Sequence, residues 1–493
     1  MKVIISYPPL KSEKGSPTLG QNRQFQYFKE PTYIYPVVPA QAATLLKDAG
    51  YEVIWNDCIA DGWDHGKFMD FVRIEKPDLI AFETKTPVVK QHWKIINDIK
   101  GLSPKGTDPK NASGAVPKIV LFGDHVTALP EESFRNSQVD FVLTGGDYDF
   151  LLKNLCDHLN DPQVILEPGI YYRDNGSIRN TGEFKLDHDL NSLPFIDREL
   201  TRWELYAYKN GNYKRTPATY IMSGRDCWYH QCTFCSWPTL YPEFRKRSTE
   251  NVLDEIGVLI NRYNVREVMD DTGTFPVGEW LKEFCNGMID RGYGKKIYLD
   301  CNMRFGALSR EDLKLMKQAN FRLLLFGLES ANQITLDRLN KGLKAGRIIE
   351  DCRAATKAGL FPHITIMFGY PWEDYEGALS TLKLGQWLLK KGFAYTMQAT
   401  LVVPYPGTPL FKECRDKGLL KSLDWDDYDM KKPVIKTSVE DEKIMGLVQG
   451  MYKVSLQPEF LLRKLFSLRD IDDLRYALRA GRKVAGHIFD FKR

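Results

Sequence analysis

Short apolar runs alternate with amphipathic stretches along most of the chain. Residues 2–7 form an apolar run closed by Pro8-Pro9, and 37–49 carry apolar residues at helical spacing before Gly50. Further runs follow at 52–55, 78–82, 119–122 and 140–143, with helical stretches between the later ones. Strands alternating with helices predict a doubly wound parallel sheet. Residues 162–183 predict a hairpin turning at Asn175-Gly176, and 191–194 a linker. From Ala218 onward six apolar runs recur, at 218–222, 266–270, 296–300, 322–328, 362–368 and 395–402, separated by amphipathic helical stretches. Six such units predict an open, partial six-stranded β/α barrel. Residues 440–467 have helical spacing and 475–482 are basic, which predicts a helical C-terminal extension capping the open side of the barrel. The expected domains are thus 1–190, 191–420 and 421–493. The Gly-, Pro- and Ser-rich stretch 101–117 reads as a surface insertion.

Parallel sheets and barrels put their functional residues at the carboxyl ends of the strands. In the first half those ends carry Asp57-Cys58, Glu83-Thr84-Lys85-Thr86, Gly123-Asp124-His125-Val126-Thr127 and Thr144-Gly145-Gly146-Asp147. Glycines allow close backbone approach and hydroxyls offer hydrogen bonds, a combination that suits a nucleotide or a flat macrocycle with a polar tail. In the second half the ends carry Asp270-Asp271-Thr272, Asn302 with Arg304, Glu329-Ser330 and Tyr370-Pro371.

The most specific chemistry lies after the first barrel strand, in GRDCWYHQCTFCSW, where Cys227, Cys232 and Cys235 are spaced C-x4-C-x2-C. Three thiolates in one loop hold soft metal, and without a fourth cysteine they leave one iron of a [4Fe–4S] cube open to another ligand. A Cys3His zinc site completed by His230 is the competing reading. A disulfide framework is disfavoured, because the nine cysteines are odd in number and the other six are scattered.

This loop, with Phe234 before its last cysteine, resembles the cluster loop of radical S-adenosylmethionine enzymes, although those are normally C-x3-C-x2-C. With Ser236-Trp237-Pro238 and FRKRSTENVLDEI downstream, the whole chain resembles the subgroup with an N-terminal cobalamin-binding domain, including its C-methyltransferases. The resemblance implies a [4Fe–4S] cluster on Cys227, Cys232 and Cys235, and S-adenosylmethionine bound by Phe234, Asp270, Asp271, Thr272, Arg304, Glu329 and Ser330. It implies cobalamin held by Asp57, Thr84, Thr86, Gly123, Asp124, His125, Thr127, Thr144, Gly145 and Gly146. The D-x-H-x-x-G signature of other cobalamin proteins is replaced by Asp57-Cys58-Ile59-Ala60-Asp61-Gly62, so cobalt is expected to lack that histidine ligand. The implied reaction begins with hydrogen abstraction by a 5′-deoxyadenosyl radical. A methyl group, taken from S-adenosylmethionine by way of methylcobalamin, then passes to an unactivated carbon. Cyclisation, oxidation or rearrangement without methylation is the alternative, and a non-enzymatic corrinoid-binding protein a third reading.

Composition narrows the partners. The 493 residues are 43% hydrophobic, enough for several cores, and 68 Lys and Arg against 64 Asp and Glu give only +4, which demands no nucleic acid. No apolar run reaches the ~18 residues of a membrane span and no signal segment is evident. A cytoplasmic, anaerobic enzyme is expected, served by an external electron donor such as ferredoxin or flavodoxin. Its substrate is a peptide or protein, a lipid or a small molecule.

Overall fold

The structure, a computed structural model, describes residues 1–10, 12–17, 27–102 and 116–490; most of the 101–117 stretch lies outside them. The first sheet is built from β1 (Lys2–Tyr7), β2 (Glu52–Asp57), β3 (Leu79–Glu83), β4 (Lys118–Phe122) and β5 (Phe141–Leu143), and extended by β6 (Ile170–Asp174) and β7 (Ser177–Asn180). Their order is β2-β1-β3-β4-β5-β6-β7, the first five parallel and the last two an antiparallel hairpin. The hairpin turns where expected, with Asn175 and Gly176 both at positive φ as a two-residue turn between twisted strands requires. Strands β3 and β4 are almost wholly apolar because helices cover both faces of the sheet.

The second sheet contains β8 (Ala218–Ile221), β9 (Glu267–Asp270), β10 (Tyr298–Met303), β11 (Phe321–Glu329), β12 (Phe361–Phe368) and β13 (Thr396–Leu401). All six run parallel in sequential order, which is the partial barrel. The third strand begins at Tyr298 and continues through Asn302, so Asn302 sits within the strand rather than after it. Asp57 and Glu329 likewise are the last residues of their strands.

The C-terminal extension does not cap one side as a unit. Residues 404–436 pack against the strand ends of the first sheet: Trp425 Nε1 donates to Glu132, and its ring meets His125 edge-on. The stretch 440–467 breaks at Pro458 into helices Asp441–Lys453 and Pro458–Phe466. The last helix, Ile471–Asp490, closes the barrel at the end where the strands start, opposite the cysteines. There Arg215, just ahead of β8, donates to its Asp473, and its Arg479 donates to the Tyr213 carbonyl. Arg322, at the start of β11, fills that end from inside, paired with Glu267 and Asp300.

Candidate functional site

The order β2-β1-β3 places the topological switch point of the first sheet between β1 and β3, where such sheets bind ligands. Tyr7 ends β1 and its hydroxyl donates to Glu83 at the end of β3. The ammonium of Lys85, two residues on, lies 3.5 Å from Glu83 and 3.9 Å from Asp124. Burial works against the charge of Lys85, but Asp124, Glu83 and, from the barrel mouth, Asp271 raise it above its ordinary value. The two sets of strand ends also touch directly, the Gly146 amide after β5 donating to the Leu240 carbonyl at 2.9 Å.

Several residues expected to cradle a ligand in the first sheet are engaged with protein instead. Thr84 Oγ1 bonds the ring of His92, Thr86 Oγ1 bonds His125 Nδ1, and Thr144 Oγ1 donates to the Gly169 carbonyl. His125 is buried and its other nitrogen meets Glu132 at 3.0 Å, so neither ring nitrogen is left for a metal. A side chain at Gly123 would strike the Thr84 carbonyl, one at Gly145 the Phe184 ring, and one at Gly146 the Tyr241 ring at 1.9 Å. These glycines answer to neighbouring chain. Asp57 caps the short helix Cys58–Asp61 and accepts from Tyr206 at 2.6 Å; burial raises its carboxyl to about 6. Asp124 and Thr127 remain partly exposed at the strand ends, although the Thr127 hydroxyl donates to the Gly123 carbonyl at 2.8 Å and accepts from the Gly145 amide at 3.1 Å.

In the barrel, the cysteine loop is closed at its base by antiparallel pairing of Gly224-Arg225 with Arg245-Lys246. The segment after β9 holds it from below. Asp270 accepts from the amide and hydroxyl of Ser223, and Thr272 Oγ1 accepts from the Gly224 amide. Gly273 has no room for a Cβ, which would lie 2.7 Å from the Asp226 carbonyl carbon and 2.8 Å from the Cys227 amide nitrogen. Thr274 Oγ1 contacts Cys227 Sγ at 2.9 Å. Asp270 and Thr272, expected to meet S-adenosylmethionine, thus brace the loop. Asp271 alone of that trio is partly exposed, 3.3 Å from Asn302 Nδ2. Ser330 is also a structural residue: fully buried, it donates to Glu373 at 2.8 Å.

The other expected barrel residues gather around Cys232. Arg304 lies over the Tyr229 ring at 3.5 Å, donates to the Lys341 carbonyl at 2.5 Å and approaches Cys232 Sγ at 4.0 Å. Glu329, at φ 61°, accepts from Lys341 Nζ at 2.7 Å, and the ammonium sits 5.7 Å from the Phe234 ring. Gly327 leaves space for that pair, since a Cβ there would lie 2.3 Å from Glu329 and 2.6 Å from Lys341. Burial raises the Cys232 thiol, while Lys341 and Arg304 oppose that rise. Tyr370 is buried beside these groups, its hydroxyl without a hydrogen-bond partner.

Sequence reasoning missed Lys341, Tyr229 and Thr274, and placed Lys85 and Tyr370 at strand ends without giving either a ligand. The Asn-Lys-Gly turn at 340–342, with Asn340 and Gly342 at positive φ, was the one local signal for Lys341. Also missed is a buried ionic joint between the two sheets. Arg225 donates to Asp147 at 2.6 Å and to both oxygens of Asp149; Arg245 and His188 complete Asp147, and Glu167 completes His188. Burial opposes the charge of His188, but Asp147 and Glu167 raise it to about 9.

Three cysteines in one loop are the donor set that a [4Fe–4S] cube takes, one thiolate to each of three irons. His230 is exposed at φ 35°, and among the described residues no three His, Cys, Asp or Glu side chains converge as ligands of one ion. A single zinc, with Zn–S of about 2.3 Å, draws its sulfurs to within about 4 Å of one another, whereas cysteines of a cube bind separate irons. Among the described residues no helix is long and apolar enough to cross a membrane.

Residues 221–384 match the family model described as the radical SAM superfamily. The chain is 25% identical over 474 residues to an uncharacterized methyltransferase of Pyrococcus horikoshii, covering 94% of this chain and 95% of that one. It is 26% identical over 413 residues to the anaerobic magnesium-protoporphyrin IX monomethyl ester cyclase of Cereibacter sphaeroides, 81% of this chain and 63% of that one. Among solved structures, the cobalamin-dependent S-adenosylmethionine radical enzyme OxsB, with aqua-cobalamin and S-adenosylmethionine bound, superposes with a TM-score of 0.69 at 14% identity, over 99% of this chain and 71% of that one. The radical S-adenosylmethionine methyltransferase TsrM from Kitasatospora setae, with cobalamin and a [4Fe–4S] cluster bound, gives 0.67 at 14%, over 99% and 98%. At these identities the structural likeness is one of fold.

Proposed function

We propose, from a chain whose residues 221–384 belong to the radical SAM superfamily, a cobalamin-dependent C-methyltransferase acting at an unactivated carbon. The observation that carries this reading is the contact between the strand ends of the two sheets: the Gly146 amide after β5 donates to the Leu240 carbonyl beyond the cysteines, and Arg225, two residues before Cys227, is buried on Asp147 and Asp149. Two cofactors that hand a substrate from one to the other need such facing sites. Cys227, Cys232 and Cys235 would hold the [4Fe–4S] cluster. Arg304, Lys341, Glu329, Tyr370, Phe234 and Asp271 would hold S-adenosylmethionine, and the Tyr7–Glu83–Lys85–Asp124 group with Thr127 the corrinoid. The bound groups supply one-electron cleavage of S-adenosylmethionine, hydrogen removal and methyl delivery.

The protein's own part is placement and charge. Lys341 neutralises Glu329 in a buried position, leaving the other Glu329 oxygen and the Tyr370 hydroxyl as polar anchors. Arg304, fixed on Tyr229, keeps a positive charge beside Cys232, which favours its thiolate. We propose 1–190, 191–420 and 421–493 as the units of this division of labour, with 404–436 packed against the first sheet. We further propose ferredoxin or flavodoxin as electron donor.

Anaerobically reconstituted protein with S-adenosylmethionine and corrinoid should form 5′-deoxyadenosine and S-adenosylhomocysteine together, with a product heavier by one methyl group. The relative named for magnesium-protoporphyrin IX monomethyl ester makes a tetrapyrrole the first substrate to test and a peptide or protein side chain the second. The cyclase relatives favour one other outcome: 5′-deoxyadenosine without S-adenosylhomocysteine, and a product without added methyl, would establish cyclisation or oxidation instead.

A further inference from the structure

We infer that the C-terminal helices dock this protein on an anionic lipid bilayer surface, lying on the membrane without crossing it. The helix Pro458–Phe466 has no buried residue and exposes Leu461, Leu465 and Phe466, the last at 83%. The helix Ile471–Asp490 buries Asp473 and Tyr476 against the barrel and turns Ile471, Leu474 and Leu478 outward, the first and last at 60% and 61% exposed. Those three stand at i, i+3 and i+7, so they form one stripe, and the exposed charged residues beside them are Arg469, Arg475 and Arg482 with a single acid, Asp470. An ordinary solvated face would carry polar side chains of both signs there.

Charge selects the occupant. The described acidic residues there are paired: Asp473 meets Arg215 at 2.7 Å, Asp470, exposed just ahead of the helix, also meets Arg215 at 2.7 Å, and Asp472 bridges Arg266 at 2.7 Å and Arg475 at 3.4 Å, which leaves Arg482 unpaired by them. Glu459, exposed on the first turn of the shorter helix, is the acidic residue left facing solvent on that element. Leucine, isoleucine and phenylalanine flanked by arginines constitute the pattern of an interfacial helix on anionic lipid. A second copy of the chain fits less well, because a two-fold contact of this patch would bring arginines against their own kind.

The full chain should co-sediment with phosphatidylcholine vesicles containing phosphatidylglycerol, and release at high salt. Phe466→Ser with Leu474→Ser should abolish sedimentation, and Arg475→Glu with Arg482→Glu should weaken it by about tenfold or more. Phe466 and Leu474 are exposed, so the first pair should leave the thermal transition in place, and Arg482→Glu alone, away from the Arg475–Asp472 pair, should weaken sedimentation with no shift in that transition. Equal binding to pure phosphatidylcholine, or no binding to either vesicle, overturns the proposal. So does a lipid-free dimer, seen by light scattering, that Phe466→Ser with Leu474→Ser dissociates.

Discussion

Replacing Arg225 by methionine tests whether the first sheet holds the cysteine loop in place. The guanidinium is buried two residues before Cys227 and donates at 2.6 Å to Asp147 and at 3.0 Å to Asp149 Oδ1, with a further short bond to Asp149 Oδ2. Methionine keeps much of the volume and removes the charge. Asp147 would retain Arg245 and His188, but Asp149 would retain only the Phe150 amide at 3.1 Å. Removing one partner of a buried ion pair costs about 3–5 kcal/mol, whereas an exposed pair contributes less than about 1 kcal/mol. Arg225→Met should therefore lower stability by about 3–5 kcal/mol in urea unfolding and reduce iron retained after reconstitution. Arg262→Met, which breaks an exposed pair with Glu199, should change it by less than about 1 kcal/mol. Adding Asp149→Asn to Arg225→Met removes the stranded charge, so about 1 kcal/mol or more should return as coupling. If Arg225→Met behaves like Arg262→Met, or if the double substitution is simply additive, the joint does not carry the load assigned to it.

Three further outcomes follow from the same geometry. Gly273→Ala forces a Cβ into the Asp226–Cys227 backbone, so reconstituted protein should lose most of its iron while circular dichroism stays near wild type. Lys341→Met strands Glu329 in a buried site; iron should be retained while turnover of S-adenosylmethionine falls at least about tenfold, with partial recovery in Lys341→Arg. The folded pKa of His188 is raised to about 9 from an ordinary 6.5, so its contribution is complete below about 6.5 and is lost as pH climbs through 9. Melting curves from pH 6 to 10 should show wild type well above His188→Gln at the acid end and the two converging above about 9, and a constant gap would refute the assignment.

Two architectures could be read from periodicity alone, since a parallel sheet buried on both faces needs apolar runs of strand length and the helices between them need one apolar stripe. The cysteine loop was equally plain, because ligand chemistry depends on residue type and spacing within fourteen residues. Strand-end residues were legible as a set but not individually. Thr84, Thr86, Gly146, Asp270 and Ser330 have the right type in the right place, yet their partners are His92, His125, Tyr241, Ser223 and Glu373, which come from 8 to 95 residues away.

By itself the sequence determined the order of elements and the three thiols, because local spacing governs both. Tertiary structure decided which polar groups are consumed in bracing the loop and which remain at the mouth, since a buried donor or acceptor takes whatever partner the packing brings within reach. It also decided that Lys341 faces Glu329, that Arg225 ties one sheet to the other, and that the last helix seals the far end of the barrel with its leucines outward.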